Sequence, residues 1–439
     1  MRTVKWAPCL LLILMIILPV SRVSAAPIEL VFMHRSATKE AEWAQEIARR
    51  FNETHPGIHV TTLSADSGPG GAWYIEKLTV LRASGMSPDV YYGASDKMGF
   101  VLQGWTLDLT PFVTRDAAEL RIDTFFPGVW NSFALNGRVY GVPLAVTPQF
   151  MFYNKGMLAN HGLAPLPTDW DVRFWTWDDF VDYGRKLTRQ EGDGTYSQVA
   201  LSRAGENQLP DICWIFGGDW FSEAAYAQGK AAQATMLRAE NINAYNALID
   251  YYAKYAAAGP PKGIDPGMAF VNERAAMEWI GAWRINGFLS AQLSWEWGIG
   301  PMPMVATRAN TRWTDPLFIS DDTKCPEQAW EFVKYATSSE AQALWSEITG
   351  MIPARRTAMD AYTQSVMAAT GMSAPEVTAA IGGALAHSRR ALEESIPAAH
   401  RFIVDHMQDW FAPMMDGEVA VSSALEQIQN LLNNYLAGL

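Results

Sequence analysis

Apolar and polar positions along this chain fall into blocks that predict strands and helices in alternation. Residues 28–33 form a short apolar strand. Ala44, Ile47, Ala48 and Phe51 then recur at the spacing of one helix face, which predicts a helix over about 39–52. His55-Pro56-Gly57 turns the chain into a second strand over 58–63. A loop over 64–71 precedes a helix carrying Leu78 and Leu81, and Ser87-Pro88 ends that unit before a third strand at 89–92. Such alternation predicts an α/β fold with a parallel, doubly wound sheet. In these sheets ligands sit beyond the carboxyl ends of the strands, which places His34-Arg35-Ser36, Ser64-Ala65-Asp66 and Gly93-Ala94-Ser95-Asp96 at one rim.

The second half is richer in helix. Residues 177–188, 241–258 and 327–337 read as amphipathic helices, and residues 259–263 as a linker. The tail over 398–436 is again helical, broken by Gly417. Between the halves lies Asn136-Gly137, a turn, followed by an apolar run over 142–145, the polar break Thr147-Pro148-Gln149, and a second apolar strand ending at Lys155. This pattern is that of a strand leaving one unit and a strand entering another, with Thr147 and Gln149 facing a gap.

Length and charge narrow the class. A chain of 439 residues exceeds the size at which one core keeps growing, so at least two lobes are expected. Arg2 and Lys5, an apolar run over 10–18, Pro19 and the small residues Val23-Ser24-Ala25 have the layout of a cleavable signal peptide over 1–25. The run is shorter than the roughly 20 residues a membrane-spanning helix needs. Cys9 precedes the run and is not placed for a lipid anchor, so the mature chain is expected to begin at Ala26 and to be exported as a soluble protein. The net charge is −12, and −15 without the three basic residues of that leader, which argues against nucleic acid and anionic membranes as partners. Cys213 and Cys325 are too few for a disulfide scaffold and lack metal-ligand spacing; a single bridge and two isolated thiols both fit.

The candidate chemistry is aromatic. The chain holds 18 tryptophans, and several sit beside Gly, Asp or Thr in loop-like sequence, as in Gly218-Asp219-Trp220, Gly281-Ala282-Trp283 and Trp313-Thr314-Asp315. Sugars present flat C–H faces to rings and hydroxyls to Asp, Arg and Asn, so this pairing is what a carbohydrate site requires. A secreted glycoside hydrolase would also combine Trp with acids, but no acid pair stands out by spacing. Asp178-Asp179 reads as a helix start. No HExxH, GxSxG or phosphate-binding loop is present, so no enzyme is expected. The pairs Tyr91-Tyr92 and Tyr251-Tyr252 suggest iron-binding phenolates, yet strand alternation sends the first pair to opposite faces and the second lies mid-helix, so neither metal nor cofactor is expected.

The 136–155 crossing resembles the inter-lobe crossing of the extracellular solute-binding proteins of ABC importers, in the sugar-binding branch similar to maltose-binding protein. Residues 85–90 (GMSPDV), 270–283 (FVNERAAMEWIGAW), 318–332 and 350–356 (GMIPARR) resemble further stretches of that family, in the expected order. The resemblance implies a type II periplasmic-binding-protein fold whose two discontinuous lobes are joined by a hinge and crossed about three times. Lobe one would span 26–143 and 298–340, and lobe two 144–297 and 341–439. It implies a non-catalytic monomer that captures a di- or oligosaccharide and delivers it to inner-membrane permease subunits. The rival ligand is a glycerophosphodiester or sugar phosphate, with Arg35, Arg284 and Arg355 as charge partners. Carried over residue by residue, the resemblance implies ligand contacts at Asp96, Thr147, Trp220, Trp283, Trp313 and Asp315. His34, Arg35, Ser64 and Gln149 are added by topology, and Arg355 either grips ligand or pairs with a carboxylate.

Overall fold

The computed structural model describes residues 26–68, 71–93, 97–202, 209–257 and 263–438. The expected signal peptide, Asp96, residue 258 of the expected helix and residues 259–262 of the expected linker lie outside the described residues.

The first unit follows the hydrophobic pattern closely. Strand β1 (Ile28–Arg35), helix α1 (Thr38–Thr54), β2 (Ile58–Ala65), helix α2 (Ala72–Ala83) and β3 (Val90–Tyr92) appear in the expected order. β1 pairs in parallel with both β2 and β3. The helix α1 buries Trp43, Ala44, Ile47, Ala48 and Phe51, the stripe that its periodicity marks out. Tyr91 and Tyr92 point to opposite faces and enter different cores.

The crossing departs from expectation. β4 (Gly141–Asn154) is one continuous strand of 14 residues, buried throughout, and Thr147-Pro148-Gln149 does not break it. The reason is that the polar groups there are met inside the protein: Gln149 receives the Trp279 Nε1–H at 2.6 Å and donates its backbone N–H to Asn310 Oδ1 at 3.1 Å, while Pro148 O accepts from Ala282 N at 2.8 Å. The turn before it is a hairpin of Ala134–Leu135 with Arg138–Val139, in which Asn136 and Gly137 adopt φ of 52° and 78°, both left-handed as a type I′ turn demands.

β4 joins two sheet regions. Its first half pairs antiparallel with β8 (Asn310–Ile319), which lies against β3. Its second half pairs with β6 (Ala275–Gly281) and β7 (Trp297–Gly300), and β6 pairs in parallel with β5 (Tyr196–Ser202). The order is therefore β2-β1-β3-β8-β4-β6-β5, with short strands at the margins. Alternation along β4 divides the packing: Phe150 and Phe152 extend the core that contains β1 and α1, while Met151 and Tyr153 enter a second core with Met277 and Trp279.

Two expected boundaries fall inside elements. The division at 297/298 lies within β7, which pairs with the second half of β4. The division at 340/341 lies within the helix Ser339–Thr349, whose Trp345 packs edge-on against Trp43 of α1 at 5.1 Å. Thr176 and Asp179 form a capping box on the helix Trp177–Leu187, so Asp179 is a helix-start acid. The helix Ala239–Tyr255 starts and ends slightly earlier than its periodicity suggested. Cys213 is buried and Cys325 half-buried, and neither forms a disulfide. No helix among the described residues is long and apolar enough to cross a membrane.

Candidate ligand-binding cleft

The rim predicted at the strand ends carries an alternating chain of charges. Arg35, the last residue of β1, holds Glu40 in the first turn of α1 through two hydrogen bonds, Nε to Oε2 at 2.7 Å and Nη2 to Oε1 at 2.6 Å. Its Nη2 also donates to the Tyr92 hydroxyl at 2.9 Å and lies 3.8 Å from Asp315 Oδ2. Lys97 Nζ lies 2.8 Å from Asp315 Oδ1 and 3.0 Å from Glu394 Oε1, and it donates to Thr314 O. Glu394 is fully buried and also accepts the Thr314 N–H at 2.8 Å. Burial pushes the Asp315 carboxyl upward, but Lys97 and Arg35 outweigh it and hold Asp315 below the ordinary carboxylate range. For Glu394 and Glu40 burial dominates and raises both, against the pull of Lys97 and Arg35 respectively. The register of β8 against β4 shifts between Asp315 and Pro316, a bulge that leaves Leu144 of β4 without a β8 partner beside Asp315. A close approach completes the floor: a Cβ at Gly93 would lie 2.6 Å from Pro316 Cδ, so only glycine fits there.

Facing this floor is an aromatic wall. Trp313 of β8 stands opposite Thr147 of β4, and Trp283 follows β6 at the start of the helix Arg284–Ala291. The two indoles meet edge to face, with centroids 5.0 Å apart and planes at 68°. Trp283 keeps 36% of its surface exposed, an unusual state for an indole beside a cleft. Arg35, Glu40, Lys97, Thr147, Trp283, Trp313, Asp315, Met351 and Glu393 enclose a cleft of about 390 Å³, within the range of small-ligand sites.

Five of the expected residues thus converge: Arg35, Thr147, Trp283, Trp313 and Asp315. The others do not. His34 is buried under Phe32, its Nδ1 2.8 Å from Arg35 O, and burial lowers its pKa. Ser64 is exposed on β2, where its carbonyl accepts from Lys77. Gln149 is sealed in the hinge by Trp279 and Asn310. Trp220 lies in the second core, donating to the Tyr245 hydroxyl at 2.8 Å and stacking on Phe411. The hydrogen bonds of Arg355 go to carbonyls and a hydroxyl, not to a carboxylate. It donates to Thr337 O, Arg121 O and Thr124 Oγ1, lies over Phe125 at 4.0 Å, and is lowered to about 10 by burial. It borders a larger cavity of about 570 Å³ between α1 and the helix Ser339–Thr349, which holds neither Trp283 nor Trp313. Asp96 lies outside the described residues, but its neighbour Lys97 is in the cleft. Glu40, Lys97, Met351 and Glu393 are cleft residues that sequence reasoning missed; only Lys97 and Glu40 carried a signal, as rim neighbours of Asp96 and Arg35.

A long strand shared between two α/β units, with a polar floor and an aromatic wall at their seam, defines a two-lobed binding protein. The family model for bacterial extracellular solute-binding proteins matches residues 36–343, and the chain belongs to that family. An arabinooligosaccharide-binding protein of Halalkalibacterium halodurans is 24% identical over 342 residues, covering 74% of this chain and 71% of that protein. The solved sugar-binding protein MalE of Xanthomonas citri superposes with a TM-score of 0.74 at 19% identity, over 93% of this chain and 98% of that one. UgpB of Mycobacterium tuberculosis, in complex with glycerophosphocholine, superposes with a TM-score of 0.71 at 20% identity, over 94% and 98%. The fold is the type II periplasmic-binding-protein fold expected from the sequence. These relatives are binding proteins.

Proposed function

We propose that this protein is the substrate-binding component of an ABC importer that captures a neutral di- or oligosaccharide in the Trp283–Trp313 cleft and delivers it to membrane permease subunits. The observation that carries this reading is the edge-to-face indole pair, with Trp283 exposed and Trp313 half-buried, lining one cleft with the ionised Asp315 carboxylate. An indole face stacks on a pyranose C–H face, and Asp315 accepts sugar hydroxyls in charge-assisted hydrogen bonds. The arabinooligosaccharide-binding relative and the sugar-binding MalE structure support a saccharide.

A phosphodiester is the weaker reading, because its proposed charge partners are already committed. Arg35 is held by Glu40, Arg355 by carbonyls and Thr124, and Arg284 by Glu278 at 3.1 Å and Gly267 O. Binding an anion beside Glu40, Asp315, Glu393 and Glu394 would require breaking those pairs.

The pairing of β4 supports a revised division, with lobe one holding β1–β3, β8 and the helices Pro326–Ala336 and Ser339–Thr349, and lobe two built on β5–β7. Closure about β4 would be driven by a ligand that touches both lobes at once. On this reading the leader over 1–25 is removed on export, and the mature protein works as a periplasmic monomer without turning over its ligand or binding nucleic acid. Mass spectrometry of small molecules released by denaturing the natively purified protein tests the proposal. A saccharide without phosphate is the expected release; a phosphodiester in its place would overturn it.

A further inference from the structure

The indole of Trp283 does not stand out from its turn but folds back over Gly281. A Cβ built on Gly281 would lie inside the van der Waals surface of the six-membered ring, against Cζ3, Cε3 and Cη2. The backbone at Gly281 is not left-handed, so the conformation there does not call for glycine; only the ring does. Gly281 is also the last residue of β6, opposite Gln149 of β4, and Ala282 N donates to Pro148 O. The ring therefore rests on the hinge ladder itself, with Trp313, opposite Thr147, bracing its far side.

We infer that Gly281 is a positioning residue for the binding cleft: its missing side chain is the seat that holds the Trp283 indole edge to face against Trp313. Without the seat, the ring must swing away from Trp313 and the aromatic wall opens. The ligand role of Trp283 rests on the function proposed above, whereas the seating of its ring does not, and the two are tested separately.

Far-UV circular dichroism reads the seating without any ligand, because two indoles in contact produce an exciton couplet. The wild-type minus Trp283→Ala difference isolates it, since the other close indole pair among the described residues, Trp43 with Trp345, is unchanged in both. Gly281→Ala is expected to abolish this couplet while the melting temperature stays near that of the wild type, and to do nothing further in the Trp283→Ala background. Should Gly281→Ala fail to fold, Trp283→Ala is expected to rescue it, because removing the ring removes the clash. Affinity for maltotriose, used as the probe, should fall on the order of tenfold in Gly281→Ala and not fall again in the double variant. A couplet that survives Gly281→Ala, its absence from the wild type, a failure of rescue, or additive losses in the double variant would each overturn the inference. If maltotriose does not bind the wild type, the saccharide reading is damaged and the couplet still decides the role of Gly281.

Discussion

At the scale of single residues, Trp283 and Asp211 show two different kinds of consequence. Trp283→Ala removes the exposed half of the aromatic wall and should weaken saccharide affinity by about 1–3 kcal/mol with little change in melting temperature, as read by calorimetric titration and thermal unfolding. Asp211 is fully buried, accepts a hydrogen bond from the Thr311 hydroxyl, and is pushed up to about 7 by burial. The folded state thus binds its proton more tightly than the unfolded chain. The stability this contributes is complete below the ordinary carboxylate value of about 4 and is lost as the pH rises to about 7. Asp211→Asn should flatten the dependence of melting temperature on pH across that window and exceed the wild type above it. The residues legible in the sequence were those whose role depends on local context: Arg35 at a strand end, Trp283 after a Gly-Ala turn, Asp315 near the returning strand. Gln149, Trp220 and Arg355 were candidates too, but their partners arrive from far along the chain, as Trp279 does from 130 residues away. Sequence patterns do not reveal which polar groups are already satisfied.

At the scale of elements, hydrophobic periodicity located the first unit and the helices Trp177–Leu187 and Pro326–Ala336 to within a residue or two. It misjudged β4, because a buried strand with internal polar partners carries the same letters as two strands and a gap. The division at 340/341, which came from the resemblance and not from periodicity, cuts the helix Ser339–Thr349, whose Trp345 packs against Trp43 and Tyr92 of the first unit. Trp345→Ala should cost about 3–5 kcal/mol of stability in denaturant unfolding, by opening a cavity against Trp43, while leaving ligand affinity nearly unchanged. A loss of affinity comparable to that of Trp283→Ala would instead tie this helix to the cleft.

At the scale of the whole molecule, two α/β units share one buried strand and a cleft whose cations are all paired. Such an arrangement predicts a hinge motion and selects against anionic ligands. Small-angle scattering should report a smaller radius of gyration when a bound saccharide bridges the lobes, and an unchanged one for Trp283→Ala at the same ligand concentration. The most direct test of the account is intrinsic tryptophan fluorescence of the mature, ligand-stripped protein, titrated with neutral di- and oligosaccharides and with glycerophosphodiesters. The account predicts a saturable change with a neutral saccharide, smaller and shifted to higher concentration in Trp283→Ala, and none with the phosphodiesters. A response confined to the phosphodiesters would contradict it.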